Sequence, residues 1–381
     1  MKIGISGYYL LETGSGYSRS ISNLLPALSK IDKENHYCIF VPEMIEAKLP
    51  ANFEIEVIPM NKIFGESMGR FLWDNFQLPR AAFKHGVDIL HYPYPTLPYF
   101  KQKFPLIVSI NNIINWKFKE YHQSSLVKIK QYFKVQSFKN ARRIIVPSVA
   151  TKMDIINNFH IDNQIIKVIP YGKSEIFKRG TNKEEAELIK RRYNLKFPFI
   201  FYVGSFDFRK NIKRLIRAFS LLSSKRPELN LVIGGGISTV ISPFVFSLEE
   251  MMNYATQYNV FEKVKFIRLV PERDLLILYN LASGFIYPSL YEGFATAVIE
   301  AMACGCPVAV SNTSCLPEIV NNAGLLFDPY NEKEIASSIE RIVYDYNLRR
   351  ALINKGLIQA NNFSWERTAR ETLNLYQESV Q

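Results

Sequence analysis

The sequence predicts an α/β protein built as two doubly wound, Rossmann-like domains facing across a cleft. Three features carry that prediction: length, an alternation of short apolar runs with longer helical patterns, and a restart of the alternation near mid-chain. At 381 residues the chain is long for one core and comfortable for two. Strand-length runs separated by helix-length segments imply parallel strands joined by crossovers, with helices on both faces of each sheet.

In the first half "KIGISGYYL" reads as a strand, and the glycine loop "ETGSGYS" leads into a helix over "SRSISNLLPALSK". Further strands are expected at "HYCIFVP", "FEIEVIP", "DILHYPY", "FPLIVSI" and "RRIIVPS", with helices between most of them, as at "DNFQLPRAAFKHG". The charged stretch Arg179 to Pro198 interrupts this and reads as an interdomain connection. The pattern then resumes with strand "FPFIFYVGS", helix "RKNIKRLIRAFSLLSS", strand "LNLVIGGG" and helix "SLEEMMNYATQYN". Strands "KVKFIRLV", "GFIYPS" and "PVAVS" follow, with helices over "ERDLLILYNLA" and "ATAVIEAMACG" between them and two helices at the end. The resulting division is residues 1–195, residues 196–360, and a terminal helix over 361–381. "GGG" at Gly234 to Gly236 follows a strand but no helix opens after it, so it reads as a loop and not a phosphate cradle.

Composition narrows the function classes. Hydrophobic content of 48% and charged content of 22% are those of a globular protein. No apolar run reaches spanning length, and Gly4, Gly7 and Glu12 break up the amino-terminal stretch, so a cytoplasmic protein is expected. The four cysteines, Cys38, Cys304, Cys306 and Cys315, lack zinc-ligand spacing and read as buried thiols. Net charge is +12, and it is lopsided: residues 1–195 hold 28 Lys+Arg against 17 Asp+Glu, while residues 196–381 hold 19 against 18. Within the basic half, Val127 to Arg143 ("VKIKQYFKVQSFKNARR") has six basic residues and no acidic one. It reads either as a helix resting on an anionic membrane surface or as an ordinary solvated basic face. No nucleic-acid signature accompanies the charge.

The chemistry is concentrated in three segments. In "YPSLYEGFATAVIEAMA" a strand should end at the carboxyl edge of its sheet, with Glu292 and Gly293 in the turn and a helix beginning near Ala295. The first amides of that helix, around Phe294 to Thr296, form an anion site, and glycine allows close backbone approach. Glu300 lies one to two turns further on. A nucleoside diphosphate-sugar suits this layout, with its diphosphate at the helix start, Glu292 near sugar hydroxyls and Glu300 near the ribose. In "FYVGSFDFRKN" a strand and glycine turn (Gly204, Ser205) precede Arg209 and Lys210 at an expected helix start. Cations there oppose the helix dipole, which a bound diphosphate would resolve. Such cations could neutralise a leaving diphosphate with neither a metal nor a cofactor. The loop "LETGSGYSR", with Gly16, is a weaker phosphate or sugar signal.

These residues resemble the family-4 (group 1) retaining glycosyltransferases of the GT-B fold. The likeness rests on the E-x7-E pattern Glu292 to Glu300, the following "VIEAMACGCPVAVSNTSCLPEIVNNAGLLFDP", the loop "YVGSFDFRKN", the amino-terminal "LETGSGYSRSISNLLPAL" and the closing "FSWERTARETLNLYQE". The resemblance implies transfer from a nucleoside-diphosphate sugar, UDP- or GDP-linked, to a glycan or lipid-linked acceptor, with retention and without metal. It assigns the donor to residues 196–360, the acceptor to residues 1–195, and a terminal helix returning to the first domain. Arg209 and Lys210 would stabilise the leaving diphosphate, Glu292 would orient the sugar, Glu300 would hold the ribose, and Gly16 would let its loop close on the phosphates. The chain departs from the pattern at Asn111-Asn112, where many members have His-Asp. Asparagine can hydrogen-bond a sugar hydroxyl on the acceptor side but cannot do acid–base work. Ser205 also stands where an arginine is common, so Arg209 would substitute. His91, at a different position, reads as a structural loop histidine. Two other readings compete with an active transferase: a sugar-nucleotide-binding scaffold with little turnover, which Asn111 favours, and a GT-B epimerase, which lacks the additional carboxylate–histidine cluster it would need.

Overall fold

The structure, a computed structural model, describes residues 1–12, 15–45, 50–63, 65–118, 120, 125–235 and 244–380. It divides into two compact units, Met1–Gly172 with Ser364–Gln381, and Lys173–Phe363. Residues 173–195, expected in the first domain, therefore lie in the second unit. The expected connector contains a helix, Lys183–Arg192, capped by Asn182. It is held by Arg192 and Tyr193, both bonded to the Asp274 carboxylate at 2.8 and 2.5 Å. The terminal segment rejoins the first unit at Ser364, not at residue 361.

The first unit is a seven-stranded parallel sheet. Its strands are β1 (Lys2–Ser6), β2 (His36–Val41), β3 (Phe53–Val57), β4 (Ile89–Tyr92), β5 (Leu106–Ser109), β6 (Arg143–Val146) and β7 (Ile166–Val168). Their order is β3-β2-β1-β4-β5-β6-β7, so the chain winds outward in both directions from β1 and β4. The central strands are buried on both faces, which is why they read as unbroken apolar runs. The terminal helix Trp365–Val380 packs on the Gly16–Ile31 helix. It adds Ala369, Leu375 and Tyr376 to a core with Ile3, Ile5, Leu28, Ile39 and Ile107.

The second unit is a six-stranded parallel sheet of β8 (Phe199–Gly204), β9 (Asn230–Gly235), β10 (Val264–Ile267), β11 (Gly284–Tyr287), β12 (Val308–Ser311) and β13 (Gly324–Phe327), in the order β10-β9-β8-β11-β12-β13. The winding direction changes between β8 and β11, which are neighbours. Ligands in such sheets bind beyond the carboxyl ends of the strands flanking that point. The segments after β8 and β11 are the two singled out above for diphosphate chemistry. Gly234 and Gly235 close β9, while Gly236 lies outside the described residues. At Gly235 (φ 100°) an added Cβ would sit 2.4 Å from the Gly204 carbonyl oxygen, so only glycine allows this close pairing.

Candidate functional site

The loop after β8 does not continue directly into a helix. A short 3-10 turn, Phe208–Lys210, is capped by the Asp207 side chain; Asn211 then adopts a left-handed conformation (φ 60°), and the helix begins at Ile212. Arg209 and Lys210 therefore precede the helix instead of opening it. Asn211, buried, fixes this loop to its neighbour by donating to the carbonyls of Pro288 (3.0 Å) and Pro329 (2.8 Å). The Leu290 amide donates to the Arg209 carbonyl at 2.7 Å. The segments after β8 and β11 are thus tied by one backbone bond and by the Asn211 side chain, which also reaches the segment after β13.

That tie brings Lys210 onto Glu292. The ammonium donates to Glu292 Oε1 at 2.5 Å and to the Tyr287 hydroxyl at 2.7 Å. Arg209 Nη1 donates to Glu292 Oε2 and to the Tyr291 carbonyl, each at 3.2 Å, while Arg209 Nε lies 3.4 Å from Asp207. The Glu292 amide donates to Ser314 Oγ at 3.0 Å. Lys210 and Glu292 are 8% and 7% exposed, so neither charge is solvated in the usual way. Burial by itself would raise the Glu292 carboxyl pKa. Lys210 and Arg209 together outweigh that and hold it below its ordinary value. The two cations consequently need no bound anion to offset them, because Glu292 and Asp207 already balance their charge.

The turn after β11 ends where the sequence placed it. Ala295 precedes the helix Thr296–Ala303, which has no side-chain cap. Gly293 and Ala295 are buried, and Phe294 and Thr296 are partly open. Glu300 is buried on that helix and accepts from the Tyr279 hydroxyl at 3.3 Å. Gly204 ends β8, and Ser205 follows it, partly exposed. All of these belong to the second unit.

The remaining candidates belong to the first unit. Gly16 opens the Gly16–Ile31 helix, capped by Ser15, and none of the described residues lies within 4 Å of where its Cβ would be. Thr13 and Gly14 of the same loop are outside the described residues. Asn111 Oδ1 accepts from the Tyr171 hydroxyl at 2.5 Å, and Asn112 Oδ1 accepts from the Ile114 amide at 3.2 Å. Both asparagines thus have structural partners already. His91 lies in β4, not in a loop. Cys38 carries a possible ligand group that the spacing did not reveal: its thiol, Glu54 and His85 have ligand atoms within 4.8 Å of one another. Those carboxylate and imidazole groups are engaged in pairs, Glu54 with Lys2 at 2.9 Å and His85 with Glu56 at 3.4 Å.

Asp207, Tyr287 and Ser314 join the site although no sequence argument selected them. Asp207 sits two residues before Arg209 in a segment already singled out. Tyr287 ends a strand, and Ser314 reaches the site through a left-handed turn (φ 51°).

Residues 184–358 match the family described as glycosyl transferases group 1, and residues 14–172 match glycosyltransferase family 4. O-antigen chain mannosyltransferase B of Escherichia coli is 30% identical over 76% of this chain and 74% of its own length. The chain belongs to the family-4, group 1 glycosyltransferases. The serotype-specific mannosyltransferase WbdA of Escherichia coli is 26% identical over 73% of this chain, which spans only 32% of that longer protein. Among solved structures, sucrose-phosphate synthase from Thermosynechococcus elongatus superposes with a TM-score of 0.78 at 21% identity, covering 99% of this chain and 98% of that one. HepE of Anabaena, solved with UDP, gives 0.75 at 15% identity, covering 99% and 100%. These likenesses show a shared fold, GT-B, as the sequence predicted. The chain is a glycosyltransferase.

Proposed function

We propose that this glycosyltransferase moves a mannosyl group from a nucleoside-diphosphate sugar, UDP- or GDP-linked, to a growing surface polysaccharide, with retention and without a metal. The buried Lys210–Glu292–Arg209 cluster carries the reading. A diphosphate at the Phe294–Thr296 amides would compete with Glu292 for the two cations and release its carboxylate toward the sugar hydroxyls. As the bond from C1 to the diphosphate oxygen breaks, Arg209 and Lys210 take up the developing charge. The acceptor oxygen bonds to C1 on the face just vacated, and its proton passes to the leaving phosphate oxygen. Glu300 holds the ribose, while Gly204 and Ser205 leave room for the phosphates. The mannosyl and polysaccharide assignments rest on the relatives' activities. Gly16 closing on the phosphates, and Asn111 and Asn112 on the acceptor side, belong to the same reading.

A second part of the proposal is that the first unit works on the cytoplasmic face of an anionic membrane, as its basic, aromatic helix Ser125–Phe138 favours. Among the described residues no helix is long and apolar enough to cross a membrane.

The experiment is transfer from GDP- and UDP-hexoses to mannose oligosaccharides, with and without EDTA, and with the product's anomeric configuration read by NMR. Transfer from one donor, with retention and an unchanged rate in EDTA, is expected. Inverted product, or activity abolished by EDTA and restored by magnesium, would overturn the mechanism.

A further inference from the structure

A groove of about 520 Å³ runs along one flank of the Ser125–Phe138 helix in the first unit, and the chemistry above makes no use of it. Lys128, Gln131, Tyr132, Val135, Gln136 and Lys139 form one wall. Their spacing of three and four residues places them on a single helical stripe. Trp116 and the segment Asn158–His160 complete the groove. Among the described residues the lining contains three carboxamides, aromatic rings and two lysines, and no carboxylate.

This mixture suits carbohydrate. The Gln131 and Asn158 amides already donate to the Asn115 and Asp154 carbonyls at 3.0 and 2.7 Å, which fixes them and leaves their carbonyl oxygens and second N–H, with the Gln136 carboxamide, for vicinal hydroxyls. The weakly positive C–H face of a sugar ring suits the negative face of an open aromatic ring, here Tyr132. The volume falls in the range of small-ligand sites. Trp116 is shielded at its indole nitrogen, yet that N–H has no acceptor among the described residues, an unmet donor that native proteins rarely leave. The groove also adjoins the acceptor-side loop. Asn112 Oδ1 accepts from the amide of Ile114, the first residue of the short Ile114–Lys117 helix that carries Trp116.

We infer that this groove binds a neutral oligosaccharide, the part of the growing glycan several sugars behind its reacting end. The inference rests on the polysaccharide reading above. The occupant supplies affinity remote from the chemistry, so long acceptors benefit and short ones do not.

The test uses the full chain and an α-linked mannopentaose as probe. Binding is measured by saturation-transfer NMR and calorimetry without donor, and transfer is compared between mannobiose and mannopentaose. Tyr132 is 61% exposed and Gln136 is partly exposed, so Tyr132→Ala/Gln136→Ala is expected to fold, with an unchanged melting temperature as the control. The expected result is mannopentaose binding weakened at least ten-fold and KM for mannopentaose raised by a similar factor, with KM for mannobiose and all kcat values unchanged. Absent transfer with variant-sensitive mannopentaose binding would sink the mannosyl-transfer reading while supporting the groove. Mannopentaose that does not bind the wild type, or binds both proteins alike, overturns the inference. Loss of binding to phosphatidylglycerol vesicles with unchanged saccharide binding also overturns it, and assigns the flank to the membrane.

Discussion

Lys210 and Glu292 cannot be varied independently. Each is almost wholly removed from water, and each neutralises the other at 2.5 Å. Removing one partner of a buried pair costs up to about 3–5 kcal/mol when the survivor is left uncompensated; Lys210→Ala costs less than that limit because Arg209 still meets Glu292 at 3.2 Å. A simple Lys210→Ala change therefore confounds stability with chemistry. The expectation is a loss of at least about 100-fold in kcat together with a lowered melting temperature. Adding Glu292→Gln to Lys210→Met removes both charges while leaving an amide to accept from Arg209. That double variant should recover most of the melting temperature and none of the activity. Recovery of transfer along with stability would show that Lys210 serves only to neutralise Glu292, and leaving-group stabilisation would then be lost from the mechanism.

The Ser125–Phe138 helix shows what sequence can and cannot reveal about an element. Its position among basic residues was legible, but the expected run from Val127 to Arg143 is interrupted, because the helix ends at Phe138 and Arg143 already begins β6. Which lysines face outward was not legible. Lys134 turns inward, its ammonium 5.8 Å from the Trp116 ring, and burial together with the nearby Arg70 lowers its pKa to about 8. Only partly exposed, it is a poorer lipid contact than Lys130. The outward flank opposite the groove instead carries Lys130 and Phe133. Phe133 meets Tyr99 at 6.3 Å, and ring contacts continue through Phe71 and Phe76 to Phe100. Phe71, Phe76, Phe100 and Phe133 are 41–60% exposed, with Lys101 and Lys103 beside them in sequence, a combination favoured at a membrane interface. Lys130→Glu/Phe133→Glu should abolish co-sedimentation with phosphatidylglycerol vesicles and leave mannopentaose binding intact. Undiminished sedimentation would remove the membrane from the proposal. Elsewhere the alternation of runs located eleven strands but not β7 or β13. β13 (Gly324–Phe327) begins with glycine and has no β-branched residue, whereas β7 lies in the β-branched run Ile165 to Ile169 and was missed because only three of its residues pair in the sheet. The Lys183–Arg192 helix was misread for a related reason. Only Ala186 and Ile189 are buried along it, and its stability comes from ion pairs that composition presents as a solvated linker.

At the scale of the whole molecule, the chain's two ends both lie in the first unit, and one buried histidine fastens the terminal helix to the middle of its sheet. His91 lies between the Tyr376 hydroxyl (2.6 Å) on the terminal helix and Ser109 Oγ (2.8 Å) on β5, a tie across 285 residues of sequence. The family resemblance anticipated the returning helix, whereas no local pattern could have paired positions 91 and 376. Burial lowers the His91 pKa to about 3, so the native ring stays neutral while the unfolded chain takes up a proton near pH 6.5. Between those values the unfolded state binds more protons. Stability contributed here is therefore complete above about pH 6.5 and is lost as pH falls toward 3, at up to about 1.4 kcal/mol per pH unit. All three tryptophans, Trp73, Trp116 and Trp365, lie in the first unit, so tryptophan fluorescence follows its unfolding without interference from the second. Urea titrations at pH 7 and pH 4.5 should show the wild type losing about 2–3 kcal/mol more than His91→Gln over that interval. Carboxylates titrate equally in both proteins, so the difference isolates the histidine. Parallel losses would mean that the ring accepts its proton in the folded state, with Ser109 and Tyr376 accepting from both nitrogens, and that the terminal helix is held by packing alone.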